Sequence, residues 1–228
     1  PPRSTLFPYT TLFRSTTVGS DNYMNLGDNF VQEGLAYRIT PFNTKAPGAK
    51  NFDTEKTYNN VMNRFKWGGL DKPGLYIDET VMRMCYTHRH LFATLAMQLI
   101  AEGQNAKAEK VLRKSEKVLP EYNVPYTFMS GASDLARAYA LIGKKADAAR
   151  ILNKVWADAK SYADYYLQLT GSRFMMSQNE VFRQLYIMQN IADMTQACDK
   201  NLADQRLKTV NALYAVYQAK GGTPYQGE

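Results

Sequence analysis

Residues 91–120, "LFATLAMQLIAEGQNAKAEKVLRKSEKVLP", contain the most informative pattern of the chain for predicting its fold. Gly103 lies near the middle of this stretch, where it can form a turn between two helices. Large and small residues recur at helical spacing on both sides of the turn, and a proline closes the stretch: Phe92, Leu95, Ala96, Leu99, Ala108, Leu112, Ser115 and Pro120. Small residues let two antiparallel helices approach closely, large residues fill the space between them, and proline ends the second helix. The stretch therefore predicts a helical hairpin.

The same pattern returns forty residues later around Gly143. The residues at the equivalent positions are Ala132, Leu135, Ala136, Tyr139, Ala148, Leu152 and Val155. Lys160 stands where the closing proline would be, so the second helix of this pair is predicted to continue, as far as Leu169. The repeated spacing resembles that of tetratricopeptide repeats, and a helical bundle of another family is the alternative.

A third helix pair is predicted near the carboxyl end. The sequence "SQNE" at residues 177–180 has the form of a capping box, which predicts a helix from there to about Lys200, and a second helix is predicted over residues 203–218. The sequence thus predicts a mostly α protein in which residues 78–218 form about three tetratricopeptide-like hairpins. Residues 219–228 are predicted to be a frayed tail.

Charge and hydropathy narrow the classes of function. The 228 residues include 28 Lys and Arg against 21 Asp and Glu, which gives a formal charge of +7. The densest basic group, at residues 107–117, also contains Glu109 and Glu116, so we interpret it as a solvated helix face and predict no nucleic-acid partner. The most apolar window, residues 91–101, is too short to span a membrane, so we expect this part of the protein to be soluble.

The amino-terminal stretch "TLFPYTTLFRS", residues 5–15, does not fit the rest of the chain. Its aromatic and β-branched content would permit an edge strand. Along its whole length, however, it resembles the in-frame translation of an adapter used in short-read DNA sequencing. We therefore predict that residues 1–15 are not part of the native protein and make few contacts, and that a preceding domain has been lost.

Residues 16–77 predict a small mixed α/β subdomain. A short helical pattern runs to Glu33, where Gly34 can end it. Residues 35–42, "LAYRITPF", alternate in polarity and predict a short strand or extended arm that stops at Pro41.

A helix is then predicted from Asp53 or Thr54 to Phe65. The sequence "WGGLDKPG" at residues 67–74 contains three glycines and a proline, so we expect it to break that helix.

The sequence offers no convincing catalytic or metal-binding set. The only histidines, His88 and His90, would point about 200° apart on a helix, and Cys85 at helical spacing from His88 has no carboxylate beside it. Asp28 and Glu33 are a conceivable carboxylate pair for a soluble hydrolase, but capping or ion pairing explains them more simply. We predict no catalytic residue, no metal and no cofactor.

The candidate binding residues are Arg38, Trp67, His90, Met97 and Arg137. Trp67 in "NRFKWGG" lies beside cationic residues and could stack on a sugar ring, although an anchoring role in packing is the alternative. His90, Met97 and Arg137 are predicted to face the groove of the stacked hairpins, together with Ala93, Ile100, Ser130 and Ser133. The groove lacks the Lys and Asn clamp that grips a terminal carboxylate, so we expect its ligand to be an apolar or mixed polypeptide segment.

Four blocks in chain order carry a wider resemblance: "TTVGSDNYMNL", "EGLAYRITPF", "YNNVMNRFKWGGLD" and "YIDETVMRM". Together with the helical pattern after them, they resemble the carboxyl-terminal region of a large family of Gram-negative multi-pass membrane proteins. The membrane part of that family is similar to protein O-mannosyltransferases and other C-type glycosyltransferases. The resemblance covers residues 16–217 and implies that catalysis takes place in the membrane domain, so it assigns no catalytic residue here.

Two hypotheses about function follow. In the first, the chain is the non-catalytic tail of a truncated membrane glycosyltransferase-like protein. It would lie on the periplasmic face and bind a protein partner, an acceptor protein or its own missing membrane domain. In the second, it is a free-standing tetratricopeptide-like scaffold that acts only through protein contacts.

Overall fold

A computed structural model describes residues 12–223 of the chain and divides it into two compact units. The first unit ends at Gly68 and the second begins at Gly69. The first unit contains a small sheet and one short helix, and the second is helical. The protein is therefore mostly α, as predicted, with helical hairpins that follow a small mixed segment.

The sheet of the first unit has three antiparallel strands. They are β1 (Phe13–Ser15), β2 (Phe30–Gln32) and β3 (Ala36–Ile39), in the order β1-β3-β2. The alternation at residues 35–42 correctly predicted β3. Phe30 and Tyr37 stack across β2 and β3 with ring centroids 5.3 Å apart, and Tyr23 packs edge-on against Phe30 at 5.0 Å. These aromatic contacts stabilise the small sheet.

The predicted helix up to Glu33 is wrong. Gly27–Asn29 form one 3-10 turn, and the chain then enters β2. Phe30 and Val31 are buried in that strand, so cross-strand pairing with β3 outweighs the local helical pattern. Gly34 provides the turn between the two strands with a φ of 93°, a conformation that side chains with a Cβ rarely adopt.

The end of the adapter-like stretch forms the edge strand β1. Phe13, Arg14 and Ser15 pair with Arg38, Tyr37 and Ala36, and the backbone N–H of Ile39 donates to the Leu12 carbonyl at 2.9 Å. This pairing differs from the expectation of few contacts, although the Phe13 side chain is 55% exposed. Residues 1–11 lie outside the described residues, and the adapter origin of residues 1–15 stays a prediction.

The first unit also contains helix α1 (Thr54–Asn59), which continues as a π-helical turn over Asn60–Arg64. Asp53 caps its start by accepting a hydrogen bond from the backbone N–H of Lys56 at 3.0 Å. The predicted helix is thus confirmed to within a residue at each end.

Six helices form the described part of the second unit, and most of them are joined by short turns that make sequential neighbours antiparallel. Contacts run from α2 to α3 and α4, and then from α4 to α5, α5 to α6 and α6 to α7. The helices are α2 (Glu79–Ala101), α3 (Asn105–Val118), α4 (Ala132–Leu141), α5 (Lys145–Gln168), α6 (Gly171–Thr195) and α7 (Lys200–Ala219).

The sequence pattern of the first two hairpins coincides with their interiors. Fourteen of its positions are buried, each with at most 1% exposure: Phe92, Leu95, Ala96, Leu99, Ala108, Leu112, Ser115, Ala132, Leu135, Ala136, Tyr139, Ala148, Leu152 and Val155. The turns also repeat. Gly103 has a φ of 76° and Gly143 a φ of 80°, and each follows a helix end in the same hydrogen-bonded arrangement.

The third hairpin is shifted from its prediction. Helix α6 begins at Gly171, upstream of the supposed capping box, and Ser177 donates to the Arg173 carbonyl at 2.9 Å within the helix. Burial of Phe174 against Leu167 and Tyr217 explains the earlier start. Helix α6 also ends at Thr195 rather than near Lys200, and α7 begins at Lys200 rather than at residue 203. In contrast, α5 continues past Lys160 to Gln168, as expected without the proline.

Ala108→Leu tests the close approach of α2 and α3. Ala108 is fully buried, so the added methylenes are expected to lower the free energy of unfolding by about 1–3 kcal/mol through overpacking. Urea denaturation followed by circular dichroism measures the change. Ala106→Leu, at an exposed position on the same helix, is the matched control and should stay within about 0.5 kcal/mol of wild type. Equal stability of the two variants would refute the proposed packing at Ala108.

Candidate functional site

The candidate site lies on the helical unit, between α4 and α6. We call it the α4–α6 groove, and it is lined by Ala136, Arg137, Ala140, Leu141, Leu152, Asp193, Met194 and Ala197. The groove has a volume of about 280 Å³. Arg137 and Leu141 stand on its α4 side, while Asp193 and Met194 stand on its α6 side.

Apolar surface in the groove is accessible. Leu141 is 54% exposed, and Ala197 is exposed as well, whereas Ala136 and Leu152 are buried beneath them. An exposed leucine alone is ordinary, but here it borders a cavity with an apolar floor. Such a surface suits the side chain of another polypeptide.

The two charged side chains of the groove, Arg137 and Asp193, make few polar contacts with the rest of residues 12–223. Arg137 is exposed, and its side chain makes no ion pair or hydrogen bond within residues 12–223. Within the same described residues, the Asp193 carboxylate accepts only the side-chain amide of Gln189, at 3.3 and 3.4 Å. One cation and one anion therefore border the cavity with free bonding capacity.

A histidine contact lies next to the groove on the same face of α4. His90 Nδ1 is 3.2 Å from Asp134 Oδ2, and Asp134 is one helical turn before Arg137. The hydrogen bond with Asp134 raises the pKa of His90 above its ordinary value, against the opposing effect of burial. Gly131 lies close to His90, because a Cβ at position 131 would come within 3.1 Å of the His90 backbone nitrogen. This contact joins α2 to α4.

The structure places the five predicted binding residues in two groups. His90, Met97 and Arg137 belong to the helical unit, where His90 and Arg137 flank Asp134 and Met97 lies half-buried two turns after His90 on α2. Arg38 and Trp67 belong to the first unit.

In the first unit both residues have structural contacts. Arg38 Nε lies 2.5 Å from Glu33 Oε1, and Trp67 packs edge-on against Phe65 with centroids 6.0 Å apart. The binding role of the five residues stays a prediction. Ala93, Ser130 and Ser133, which were also expected to line the groove of the stacked hairpins, are buried.

The two carboxylates of the conceivable hydrolase pair, Asp28 and Glu33, are engaged in separate ion pairs. Glu33 is paired with Arg38 and with Lys56 at 2.9 Å, while Asp28 pairs with Lys45 at 2.5 Å. Each carboxylate thus has its own cationic partner. Across residues 12–223 there is also no group of three His, Cys, Asp or Glu residues that could hold a metal ion.

Sequence reasoning missed a fully buried arginine. Arg89 on α2 has 0% exposure, and its guanidinium donates to four carbonyl oxygens of the connector between α3 and α4, residues 119–131. The acceptors are Leu119 at 3.0 Å, Val124 at 2.6 Å, Pro125 at 3.1 Å and Ser130 at 3.5 Å. The guanidinium also lies 4.8 Å from the Tyr126 ring centre, and burial lowers the pKa of Arg89.

One sequence signal points to Arg89. It occupies the position between Cys85 and Phe92 on a stripe with helical spacing, and all three are buried. A cation on the apolar stripe of a helix implies a set of acceptors in the interior. Here these acceptors are backbone carbonyls.

A second missed feature is the polar cluster around Glu116, which we call the Glu116 cluster. Tyr126 and Tyr139 donate their hydroxyls to the Glu116 carboxylate at 3.1 and 3.0 Å, and Arg150 donates to it as well. Burial raises the pKa of Tyr126 to about 12 and also raises the pKa of Tyr139. The cluster joins α3 of the first hairpin to α4 and α5 of the second.

A bidentate ion pair lies beside the Glu116 cluster. Arg113 donates to both Asp147 oxygens, at 2.8 and 2.6 Å. These hydrogen bonds hold the pKa of the Asp147 carboxyl below its ordinary value. The ion pair gives α3 and α5 a further contact.

These features define a helical-hairpin protein with an amphipathic groove, preceded by a small mixed unit. Residues 10–57 match the model of the family described as TMEM260-associated domain 2. The match spans the sheet of the first unit and starts within the adapter-like stretch. No curated protein and no solved structure matches the chain. Within residues 12–223, no helix has the length and apolar character needed to cross a membrane.

Proposed function

We propose that this chain is an extramembrane, non-catalytic part of a membrane protein that resembles the protein O-mannosyltransferases. In this proposal it lies on the periplasmic face, and its tetratricopeptide-like hairpins bind an acceptor or partner protein through the α4–α6 groove.

The family match is the observation that carries the membrane-protein part of the proposal. The blocks "TTVGSDNYMNL" and "EGLAYRITPF", which carry the resemblance to the membrane family, both fall inside the matched residues 10–57. The match therefore overlaps two of the four blocks that carry the resemblance, and both observations point to the same kind of protein.

The partner-binding part rests on the helical unit. Its first two hairpins bury the small and large positions expected of tetratricopeptide-like packing, and such arrays commonly bind polypeptides on the faces of successive helices. The α4–α6 groove offers exposed apolar atoms together with unpaired charges. These are the properties of a surface that recognises another protein.

Site-specific photocrosslinking in the native cell tests both parts. The photoreactive residue benzoylphenylalanine replaces Leu141, in the groove, within the natural gene. We expect the protein to sediment with membranes and to form, on irradiation, one dominant adduct whose partner is identified by mass spectrometry. Because the reaction needs close contact, the adduct reports what occupies the groove.

The matched control places the same residue at Met176, which is 88% exposed on α6 and about 26 Å from Asp193 along the helix. It should give little of this adduct. Recovery of the protein away from membranes would refute the membrane assignment. Equal adducts at Leu141 and Met176 would refute the groove as the binding surface.

A further inference from the structure

We propose that the α4–α6 groove takes one apolar side chain of a partner polypeptide, and that flanking residues of opposite charge fix the direction of that segment. An acidic residue of the segment pairs with Arg137, and a basic residue pairs with Asp193. This inference rests on the proposed function and specifies its ligand.

The size of the cavity limits the ligand. Its volume of about 280 Å³ lies just below the roughly 300–1,000 Å³ typical of small-molecule pockets. The cavity therefore suits one large apolar side chain better than a cofactor. Met194 on its wall is flexible enough to adjust to leucine, methionine or phenylalanine.

The positions of Arg137 and Asp193 fix the chain direction in which the partner segment binds. Arg137 on α4 and Asp193 on α6 border the same cavity from opposite sides. Asp134, the one acidic residue of α4, is engaged by His90 at 3.2 Å, so Arg137 stays available to an external carboxylate. A segment bound in the reverse direction would place like charges together, which disfavours that orientation.

The helix that carries Arg137 is held in place by its opposite face. Leu135 and Tyr139 of α4 are both completely buried, and Tyr139 is hydrogen-bonded to Glu116. The groove residues thus project from a fixed helix, which reduces the entropy lost when a ligand binds.

A peptide-selection experiment tests the proposal. A phage-displayed library of random 12-residue peptides is selected on the immobilised 228-residue chain and, in parallel, on Arg137→Glu and on Asp193→Lys. Wild type is expected to select peptides with one large apolar residue, an acidic residue on one side and a basic residue on the other. Arg137→Glu should replace the acidic preference with a basic one, and Asp193→Lys should replace the basic preference with an acidic one.

Affinity measurements on one selected peptide provide the second readout. Arg137→Glu should weaken its binding about fivefold to tenfold, because an exposed attraction becomes a repulsion. Substitution of the acidic residue of the peptide by lysine should restore binding to that variant. Ala197→Trp, at an exposed position on the rim of the cavity, should abolish binding. Arg173→Glu makes the same charge change about 30 Å away on α6 and should leave affinity unchanged.

The outcomes separate this inference from the proposed function. Selected peptides without a charge preference, or preferences that do not change in Arg137→Glu and Asp193→Lys, would overturn the inference even if the Leu141 adduct forms. Loss of that adduct would overturn the proposed partner binding. Failure to select any peptide from the library would overturn the inference alone.

Discussion

Arg89→Met is expected to lower the free energy of unfolding of the helical unit by about 3–5 kcal/mol. Methionine has a similar length and fills much of the same space, but it cannot donate a hydrogen bond. The carbonyl oxygens of the connector at residues 119–131 would lose their shared donor in a buried environment. Urea denaturation followed by circular dichroism at 222 nm measures the effect.

The matched control for this variant is Arg83→Met on the same helix. Arg83 is exposed and paired with Glu79 at 2.5 Å, so its replacement should cost less than about 1 kcal/mol. Arg89→Lys should recover only a small part of the loss, because an ammonium group cannot reproduce the flat, forked donor set of arginine. If Arg89→Met unfolds at the same urea concentration as wild type, the connector does not depend on this side chain.

Glu116→Ala is expected to lower the free energy of unfolding by about 2–4 kcal/mol. The substitution removes the common acceptor of Tyr126, Tyr139 and Arg150. Both tyrosine side chains are buried, so their hydroxyls would have limited access to water. Because the Glu116 cluster joins two hairpins, the slope of the urea transition should also fall as the hairpins begin to unfold separately.

Two further variants separate the charge from the hydrogen bonds of Glu116. Glu116→Gln keeps the shape and one acceptor oxygen, so it should cost less than Glu116→Ala. Glu109→Ala, also on α3, removes a carboxylate that pairs with Lys144 at 3.0 Å and with Arg113 at 3.7 Å. Its cost should stay near 0–1 kcal/mol. Equal losses for Glu116→Ala and Glu109→Ala would contradict a special role for the Glu116 cluster.

Local patterns predicted the elements whose contacts are close in sequence. In the first two hairpins, α2 packs against α3 and α4 against α5, and the glycine turns bring these sequential helices together. The period of α2–α5 therefore carried enough information to find their interiors. The strand β3 was found for a similar reason, since polarity alternates along it and Pro41 ends it.

Elements that depend on distant partners were predicted less well. Helix α6 starts at Gly171 because Phe174 packs against Tyr217, which lies more than forty residues away in the chain. Strand β2 forms because Phe30 and Val31 pair with β3 and become buried. Neither contact leaves a local signal strong enough to override the helical pattern around it.

The candidate site also combines residues that local patterns predicted with residues that they did not. Sequence periodicity placed His90 and Arg137 on the exposed faces of helices, but it gave no reason to place Asp193 and Met194 across a cavity from Arg137. That arrangement depends on how α4 and α6 pack over α5.

Helical period and glycine turns act over short distances, so the sequence was enough to predict a mostly α chain, the turns of the first two hairpins and many of their buried residues. The positions of Arg89, Glu116 and the α4–α6 groove depend on tertiary packing instead. A buried cation or carboxylate is stable only with its acceptors or donors in place, and those groups come from segments that meet only after the hairpins have packed together.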